Sequence, residues 1–367
     1  MPPLSYDARK IAALTTNPGC ARRAVLDAAG IDKARLAGRL GATPGAFTQS
    51  PFALTRGRAF EALVKANGYA ELITLLRAEL AAPVEEARVA DLAAAEGDRA
   101  SVRTRARATE RLLKRVIAEE DSRLILDHPV LTLEIAGQTA YLEPDALSHR
   151  IGDRIHVVVI KSFAAIDGQA DPRKTAAAAR EAAVHVLALR RTLTGLGASA
   201  DLVADQFLLV CPKDFSNRPY GRLIDLRQQL DAVEHQLRRL ARAEDLAGAL
   251  DADASLDLSV QGDQGPPVVS DDHLARTVES LDYLYEPGCL DFCELSRHCR
   301  EKALAAGAPA RLGGTVGGDL PGLDHIAVAL SLAHGQAEPD EHRREVVERL
   351  RAAARLRARC LGRGVAS

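Results

Sequence analysis

The chain has 367 residues, and its 48 basic and 50 acidic residues give a formal net charge of −2 at pH 7. A chain of this length can bury a sizeable core, and its balanced charge excludes nucleic-acid binding through overall basicity, so such a contact needs local basic patches. Because no apolar run reaches membrane-spanning length and the first residues lack the plan of a secretory signal, we expect a cytoplasmic protein without a membrane partner.

The first third of the chain is predicted to be mainly helical. Apolar residues at helical spacing indicate helices over residues 6–14, 20–30 and 56–68, and residues 70–121 continue this pattern with a turn near Gly97-Asp98. Glu61 lies four residues before Lys65, a spacing typical of an ion pair on a helix surface.

A basic segment runs from Arg99 to Arg115 and holds six arginines and one lysine against a single glutamate. Such a segment can follow a phosphate backbone. It can equally be the solvated face of a helix, and both interpretations stay open.

From residue 124 the periodicity changes from helical to strand-like. Gly137-Gln138 is a hairpin signal between two strands, and a strongly apolar third strand follows. Asp171 then begins a long Ala-rich helix, and the next apolar run reads as a buried strand after a helical crossover. The order of helix, three strands, helix and strand predicts an α/β fold, with these last five elements over residues 131–135, 139–147, 155–160, 171–194 and 204–211.

Asp145 and Lys161 stand near the facing ends of two of these strands, which are joined by a turn around Gly152-Asp153. A carboxylate in this place can hold a divalent metal, and a lysine can stabilise a nucleophile or a developing phosphate charge. The pair therefore indicates phosphodiester chemistry. The second acid usually found two residues before such a lysine is Val159 here.

The remaining chain is predicted to begin with a charged helix over residues 220–250 and an acidic linker over residues 251–272. A Gly-rich hinge follows residue 305, and a helical tail covers residues 323–361. We thus expect four regions, namely a mainly helical region, an α/β core, a linker with a cysteine loop, and a hinge with the tail, over residues 1–123, 124–250, 251–305 and 306–367.

Three cysteines, Cys289, Cys293 and Cys299, have the spacing C-x3-C-x5-C and form a compact ligand loop. Cys20 is the natural fourth ligand, because it follows Pro-Gly at the start of a helix, where amide dipoles favour a thiolate. Four thiolates suit a cubane iron–sulfur cluster, whereas replacement of one by His298 suits zinc, and both remain open.

The other two cysteines, Cys211 in a buried strand and Cys360 in a helical tail, read as small core residues. A group that joins Cys20 to the late cysteines closes a loop over nearly the whole chain. In the chain-entropy model this crosslink stabilises the fold by about 4 kcal/mol.

Together these residues resemble the iron–sulfur branch of the PD-(D/E)XK nucleases, which includes CRISPR-associated iron–sulfur exonucleases and the nuclease domains of AddB-type helicase-nuclease subunits. The resemblance extends from Cys20 to Cys299 and rests on the cysteine frame, Pro144-Asp145 and Lys161-Ser162. It implies a restriction-endonuclease-like core with large helical additions, whose N- and C-terminal parts are joined by a [4Fe–4S] cluster on Cys20, Cys289, Cys293 and Cys299.

The resemblance also implies a metal-dependent DNA nuclease that acts on single strands or duplex ends in DNA repair or phage defence, with a helicase or another repair or defence protein as a further partner. Its predicted catalytic residues are Asp145, Lys161, Glu61 and Glu181, and Glu61 and Asp145 would bind Mg²⁺ or Mn²⁺.

This chain departs from the family pattern at three places. Glu61 stands where the family has a metal-binding histidine, Val159 replaces the second acid, and Glu181 and His185 replace a glutamine and a tyrosine. Two alternatives therefore stay open. One is a catalytically silent relative that binds DNA or a helicase partner, and the other is a zinc-stapled protein-interaction module.

Overall fold

The computed structural model describes residues 7–17, 19–45, 51–80, 87–93, 101–118, 124–135, 137–148, 151, 154–239, 250, 253–261 and 265–362. The predicted turns at Gly97-Asp98 and Gly152-Asp153 lie outside these residues. Contacts divide the chain into a first unit (Met1–Pro18, Asp27–Gly30 and Gln49–Ala247) and a second unit (Gly19–Leu26, Ile31–Thr48 and Gly248–Ser367). None of the helices within the described ranges is long and apolar enough to cross a bilayer.

The helices of the described part are α1 (Ala8–Thr16), α2 (Ala21–Ala28), α3 (Lys33–Arg39), α4 (Pro51–Leu80), α5 (Val102–Ile117), α6 (Pro172–Gly195), α7 (Arg227–Arg239), α8 (Asp271–Ser280), α9 (Ser296–Ala306), α10 (Gly314–Asp319), α11 (Ile326–Ala333) and α12 (Arg344–Cys360). The strands are β1 (Arg88–Asp91), β2 (Leu124–Asp127), β3 (Leu131–Ile135), β4 (Gln138–Leu142), β5 (Ala146–Leu147), β6 (Ile155–Ile160), β7 (Ala165–Ile166), β8 (Gln169–Ala170), β9 (Val203–Pro212) and β10 (Pro219–Asp225).

The first unit is built on a mixed six-stranded sheet with the order β1-β2-β5-β6-β9-β10. Strands β2, β5 and β6 pair antiparallel, β6 and β9 pair parallel, and β10 returns antiparallel to β9. Helix α6 makes the crossover between β6 and β9, as a parallel pair requires. The predicted α/β class is therefore confirmed, and β6 has the predicted bounds.

Helices α4 and α6 both pack against the central strands. Phe60 and Leu76 of α4 share a hydrophobic cluster with Val158 of β6 and Leu208 of β9. Side chains alternate along a strand, so Val159 lies on the opposite face, together with Lys161. Helix α6 contacts β6 and β9. It begins at its N-cap Asp171, whose carboxylate accepts hydrogen bonds from the amides of Arg173 and Lys174.

The prediction of three consecutive strands is wrong in its details. Strands β3 and β4 form a separate two-stranded sheet, and only the short β5 at the end of the predicted second strand joins the main sheet. Pro144 has no amide hydrogen to donate, so it separates β4 from β5. The strand that pairs with β5 is β2, which lies before the predicted hairpin.

Two segments predicted to be helical also contain strands. Within residues 70–121, β1 pairs in parallel with β2 at the edge of the sheet. The predicted helix over residues 220–250 begins as β10, and only α7 is helical within its described part. Gly221 permits α4 to approach β10 closely, because a Cβ atom there would lie 3.2 Å from Leu75 Cβ and 3.3 Å from Leu208 Cδ1.

The second unit contains α3, most of α2 and α8 to α12. The predicted helical tail consists of two helices, α11 and α12, which pack together through a small cluster that includes Leu332 and Val347. The predicted Gly-rich hinge contains the short helix α10. Cys211 of the first unit is buried as predicted, but Cys360 is exposed at the end of α12, so its interpretation as a core residue was wrong.

A kink divides α4 after Lys65. Asn67, Gly68 and Tyr69 have φ angles of 52°, 66° and 67°, in the left-handed region that favours glycine. The kink ends the first helical segment at Lys65 and starts a second one, which carries Leu72 and Leu76 into the core.

We predict opposite effects for two Gly→Ala substitutions in α4. A Cβ atom at Gly68 or Gly57 meets no atom within 4 Å, so only backbone conformation distinguishes the two positions. Gly68→Ala should lower the free energy of unfolding by about 1 kcal/mol, because its φ is positive, whereas Gly57→Ala should raise it by about 0.5 kcal/mol. Urea denaturation measures both, and equal effects would contradict this description of the kink.

Candidate functional site

The four residues predicted to be catalytic come together in the first unit. Asp145 lies immediately before β5, Lys161 follows β6, and Glu181 and Glu61 belong to α6 and α4. Lys161 Nζ donates to Glu181 Oε2 over 2.8 Å, and Asp145 Oδ2 accepts a 2.5 Å hydrogen bond from the Ile160 amide. The fold thus assembles a partly exposed acid and lysine cluster from well-separated segments.

The charges of this cluster depend strongly on one another. Burial raises the pKa of Asp145 to about 6, and the nearby Glu61 and Glu181 act in the same direction, while Lys161 and the Ile160 amide oppose it. Burial alone would lower the pKa of Lys161, but the carboxylates of Glu181 and Asp145 outweigh burial and raise it. Burial opposes ionisation of Glu181, yet the Lys161 charge outweighs it and lowers the Glu181 pKa.

His185 lies one helical turn after Glu181 and is buried. Burial lowers the pKa of His185 to about 4, so its imidazole is neutral near pH 7. Its Nδ1 atom has no hydrogen-bond partner within the described residues. Glu181 and His185, which have the spacing of the predicted pair, therefore differ, because Glu181 bonds to Lys161 whereas His185 is buried and neutral.

A second lysine, Lys65, lies beside this cluster. Its Nζ atom contacts Glu61 Oε1, and it lies 2.6 Å from Asp127 Oδ1 and 3.1 Å from the Asp145 carbonyl oxygen. The predicted pair of Glu61 and Lys65 is confirmed, but it is not a solvated surface pair, because the Lys65 side chain is only 10 % exposed. Burial would lower the Lys65 pKa, and bonds to Asp127 and Glu61 raise it.

A shell of residues that the sequence analysis missed surrounds Lys65. His128 Nε2 lies 3.1 Å from Lys65 Nζ, and His128 Nδ1 lies 3.1 Å from Glu143 Oε1. Arg105 of α5 donates to both Glu143 oxygens, over 2.7 and 3.1 Å, and to the His128 carbonyl oxygen over 2.8 Å. His128 has a φ of 47°, a strained conformation that this shell holds in place.

This shell also controls the charge of Glu143 and His128. Burial opposes ionisation of Glu143, but hydrogen bonds from His128 and Arg105 outweigh it and lower the Glu143 pKa to about 2. The Glu143 hydrogen bond raises the pKa of His128. One sequence signal could have found this region, namely the polar pair Asp127-His128 directly after the apolar residues 124–126, but no strand was predicted there.

The four cysteines predicted as cluster ligands all lie in the second unit and are all buried. The charges of Cys20 and Cys299 act on the Cys293 thiol, and those of Cys20 and Cys289 act on Cys299, so the four thiols share one region. Burial raises the pKa of Cys293 to about 12 and that of Cys299 to about 11. A thiolate here needs a compensating cation or metal.

Two buried arginines of α2 join this cysteine region. Arg22 Nη1 donates to Cys299 Sγ over 3.5 Å, and its guanidinium carbon lies 4.3 Å from the centre of the Tyr283 ring. Arg23 Nη1 donates to the Phe292 carbonyl oxygen over 2.5 Å. The Glu286 amide donates to Cys289 Sγ over 3.4 Å. Four thiols with adjacent guanidinium and amide donors have the chemistry of ligands to an anionic cluster, but within the described residues their positions do not form a metal-binding group.

The acidic cluster of the first unit does not fit a divalent metal in the same way. Glu61 is bonded to Lys65, and Asp145 is bonded to the Ile160 amide and faces Lys161. Val159, at the position of the missing acid, is 2 % exposed and supplies no oxygen. Within the described ranges no set of three or more His, Cys, Asp or Glu side chains is arranged to hold a metal ion, and this includes the four cysteines.

No family model, no curated protein and no solved structure matches the chain.

We predict that Asp145→Asn stabilises the protein in a pH-dependent manner. The folded-state pKa of Asp145 is raised from 3.8 to about 6, so the unfolded chain ionises first and the wild type loses stability as the pH rises through this range. Asparagine does not ionise and can still accept the Ile160 hydrogen bond. The free energy of unfolding of the variant should exceed that of the wild type by about 1–2 kcal/mol at pH 7.5, and this difference should be smaller near pH 4.

Chemical denaturation at pH 4, 6 and 7.5 measures this difference. A stability difference between Asp145→Asn and the wild type that does not change with pH would contradict it.

Proposed function

We propose that this protein binds DNA through a nuclease-like α/β core and that its acidic cluster does not hydrolyse DNA with a divalent metal. One observation carries the proposal. Glu61, Asp145, Lys161 and Glu181 come together as the nuclease resemblance implies, yet lysine ammonium groups already bond to two of the acids, Glu61 and Glu181. Hard cations depend on the number and charge of their oxygen ligands, and Val159 removes one of these.

The strand arrangement supports a restriction-endonuclease-like core. Along the chain, α5 precedes three strands of the main sheet, β2, β5 and β6, and α6 and β9 follow them, while α4 and a further strand of the sheet, β1, come before α5. This is the expected order of helix, three strands, helix and strand, with β2 in place of the predicted first strand. One fold can carry many different activities, so a core of this kind is compatible with DNA binding with or without hydrolysis.

A basic stripe on α5 supports DNA as the ligand. Arg103, Arg107, Arg111 and Arg115 recur every four residues on the exposed face of the helix, over about 18 Å. The buried face packs in the first unit, and Arg105 reaches from this helix to Glu143 and His128. Such a row of guanidinium groups can neutralise successive phosphates and release their counterions.

We expect Arg103→Ala/Arg107→Ala to weaken DNA binding at low salt and to reduce the slope of log K against log salt by about 1 for each arginine removed. Fluorescence anisotropy with labelled single-stranded and duplex DNA, from low to moderate salt, measures both effects. The matched control is Arg355→Ala/Arg359→Ala, an exposed pair with the same spacing in α12. An equal loss in both variants, or no DNA binding by the wild type, would overturn the role of the stripe.

A metal-dependent DNA nuclease is the second candidate, and one observation favours it. Glu181 lies beside Lys161 and Asp145, so it can replace the acid that is missing at Val159. In that case Glu61 and Asp145 would bind Mg²⁺ or Mn²⁺. Anaerobic incubation of the same preparation with DNA and either metal separates the two candidates. Degradation that Asp145→Ala and Lys161→Ala abolish would establish the nuclease, and intact DNA supports the metal-free proposal.

The cysteines of the second unit are proposed to hold a [4Fe–4S] cluster. Cys20, Cys289, Cys293 and Cys299 supply four buried thiols, and the donors from Arg22 and the Glu286 amide suit an anionic cluster. The cluster would join α2 to the late cysteine loop as a structural staple. A zinc ion in the same place, with His298 as a ligand, would instead indicate a protein-interaction module that is stabilised by zinc.

We predict brown protein that contains about four iron and four sulfide ions per chain when it is purified without oxygen. Cys299→Ser should lose the colour and the iron, whereas Cys360→Ser, at an exposed cysteine, should keep both. Metal and acid-labile sulfide analysis with visible absorption measures this. Colourless protein with stoichiometric zinc would show that the zinc alternative is correct.

A further inference from the structure

Lys65 is surrounded like a bound cation. Its ammonium group contacts a carboxylate oxygen of Glu61 from α4, a carboxylate oxygen of Asp127 from β2 and the carbonyl oxygen of Asp145. His128 Nε2 completes the shell at 3.1 Å. Carboxylate and carbonyl oxygens supplied from separate elements are the ligand types that hard divalent cations take in proteins.

The ammonium group of Lys65 is surrounded by three oxygens and one ring nitrogen. Lys65 Nζ donates hydrogen bonds to Glu61 Oε1 and to the Asp145 carbonyl oxygen, and Asp127 Oδ1 lies 2.6 Å away as an ion-pair partner without hydrogen-bond geometry. The Lys65 side chain is 10 % exposed and that of Asp127 is 4 % exposed. A buried ammonium with fewer partners would be strongly destabilising, so this full set of contacts holds the lysine in one place.

The backbone also directs Lys65 into this position. The kink of α4 begins at Ala66, so Lys65 is the last residue of the first helical segment, where a positive charge is favourable. Three residues after the kink begins, Tyr69 is buried, and this burial, together with the nearby carboxylate of Asp127, raises the pKa of its phenol. Asp127 is thus held between a lysine and a tyrosine that the kink brings together.

From this geometry we propose that the ammonium group of Lys65 takes the position of a divalent cation, so that the chain itself neutralises the oxygens of Glu61 and Asp127. The predicted metal ligand Glu61 is then a ligand of lysine. Lys161 acts in a similar way on Glu181 and Asp145. The nuclease resemblance implies a metal site at these acids, and in this proposal the ammonium group of Lys65 replaces the metal. The proposal is independent of DNA binding by the protein.

Manganese binding by the full chain tests the proposal, and no DNA is needed. Electron paramagnetic resonance of free Mn²⁺ should show no site in the wild type up to about 1 mM, because the ammonium occupies the oxygens. Lys65→Met leaves the oxygens unpaired and should create one Mn²⁺ site. Saturating Mn²⁺ should then raise the melting temperature of this variant by about 5 °C and leave that of the wild type unchanged.

The control is Lys174→Met, which removes an exposed lysine near the start of α6 and should bind no manganese. If Lys65→Met does not fold, Lys65→Gln/Asp127→Asn removes one charge of each sign and keeps the oxygen of Glu61 and the Asp145 carbonyl. A manganese site in either folded variant that is absent from the wild type supports the proposal. A wild-type site that Glu61→Gln abolishes, or a folded Lys65 variant without a site, overturns it.

Discussion

The contacts of the Lys65 ammonium group join three segments of the first unit that are far apart in the sequence. Glu61 comes from the first part of α4, Asp127 ends β2, and the Asp145 carbonyl precedes β5. A buried ammonium is costly without partners, so this arrangement requires the kink of α4, the end of β2 and the start of β5 to hold their places together. The positions of β2 and β5 also place the other groups of the site. Asp145, before β5, faces Lys161, and His128 directly follows Asp127 at the end of β2.

The residues that were predicted to be catalytic have structural partners within the first unit. Val159 is an apolar residue in a strand that is buried over its whole length, where valine packs well. Asp145 and Lys161 remain, and both have structural partners in the Ile160 amide and Glu181. Retention of these two residues therefore does not by itself require hydrolysis, since each contributes to the charge balance of the core.

The second unit is held together by a different kind of interaction. Arg22 and Arg23 extend from α2 to the segment that carries the late cysteines, and they bond to backbone carbonyls as well as to Cys299. Burial raises the pKa values of Cys293 and Cys299, and the charges of Arg23 and Arg22 act against this rise. The arginines and a thiolate-ligated group would thus be complementary, each compensating the burial of the other.

The amino-acid sequence by itself determined those elements whose residue pattern extends over only a few neighbouring positions. The apolar run of β6 and the N-cap Asp171 of α6 were predicted where the structure has them, because strand hydrophobicity and capping act over a few residues. The closeness of Asp145 and Lys161 was predicted from the facing ends of their strands, whereas Glu61 and Glu181 were added to the site through the resemblance.

Only the tertiary structure decided which strands share a sheet and which charges meet. β1 and β10 carry mixed polar and apolar residues, so their pairing depends on distant partners, β2 and β9. Asp127 and His128 gave no spacing signal, because their link to Lys65 spans more than sixty residues and arises only when α4 kinks. The sequence could place Lys65 next to Glu61, and the fold alone made this lysine the cation of the site.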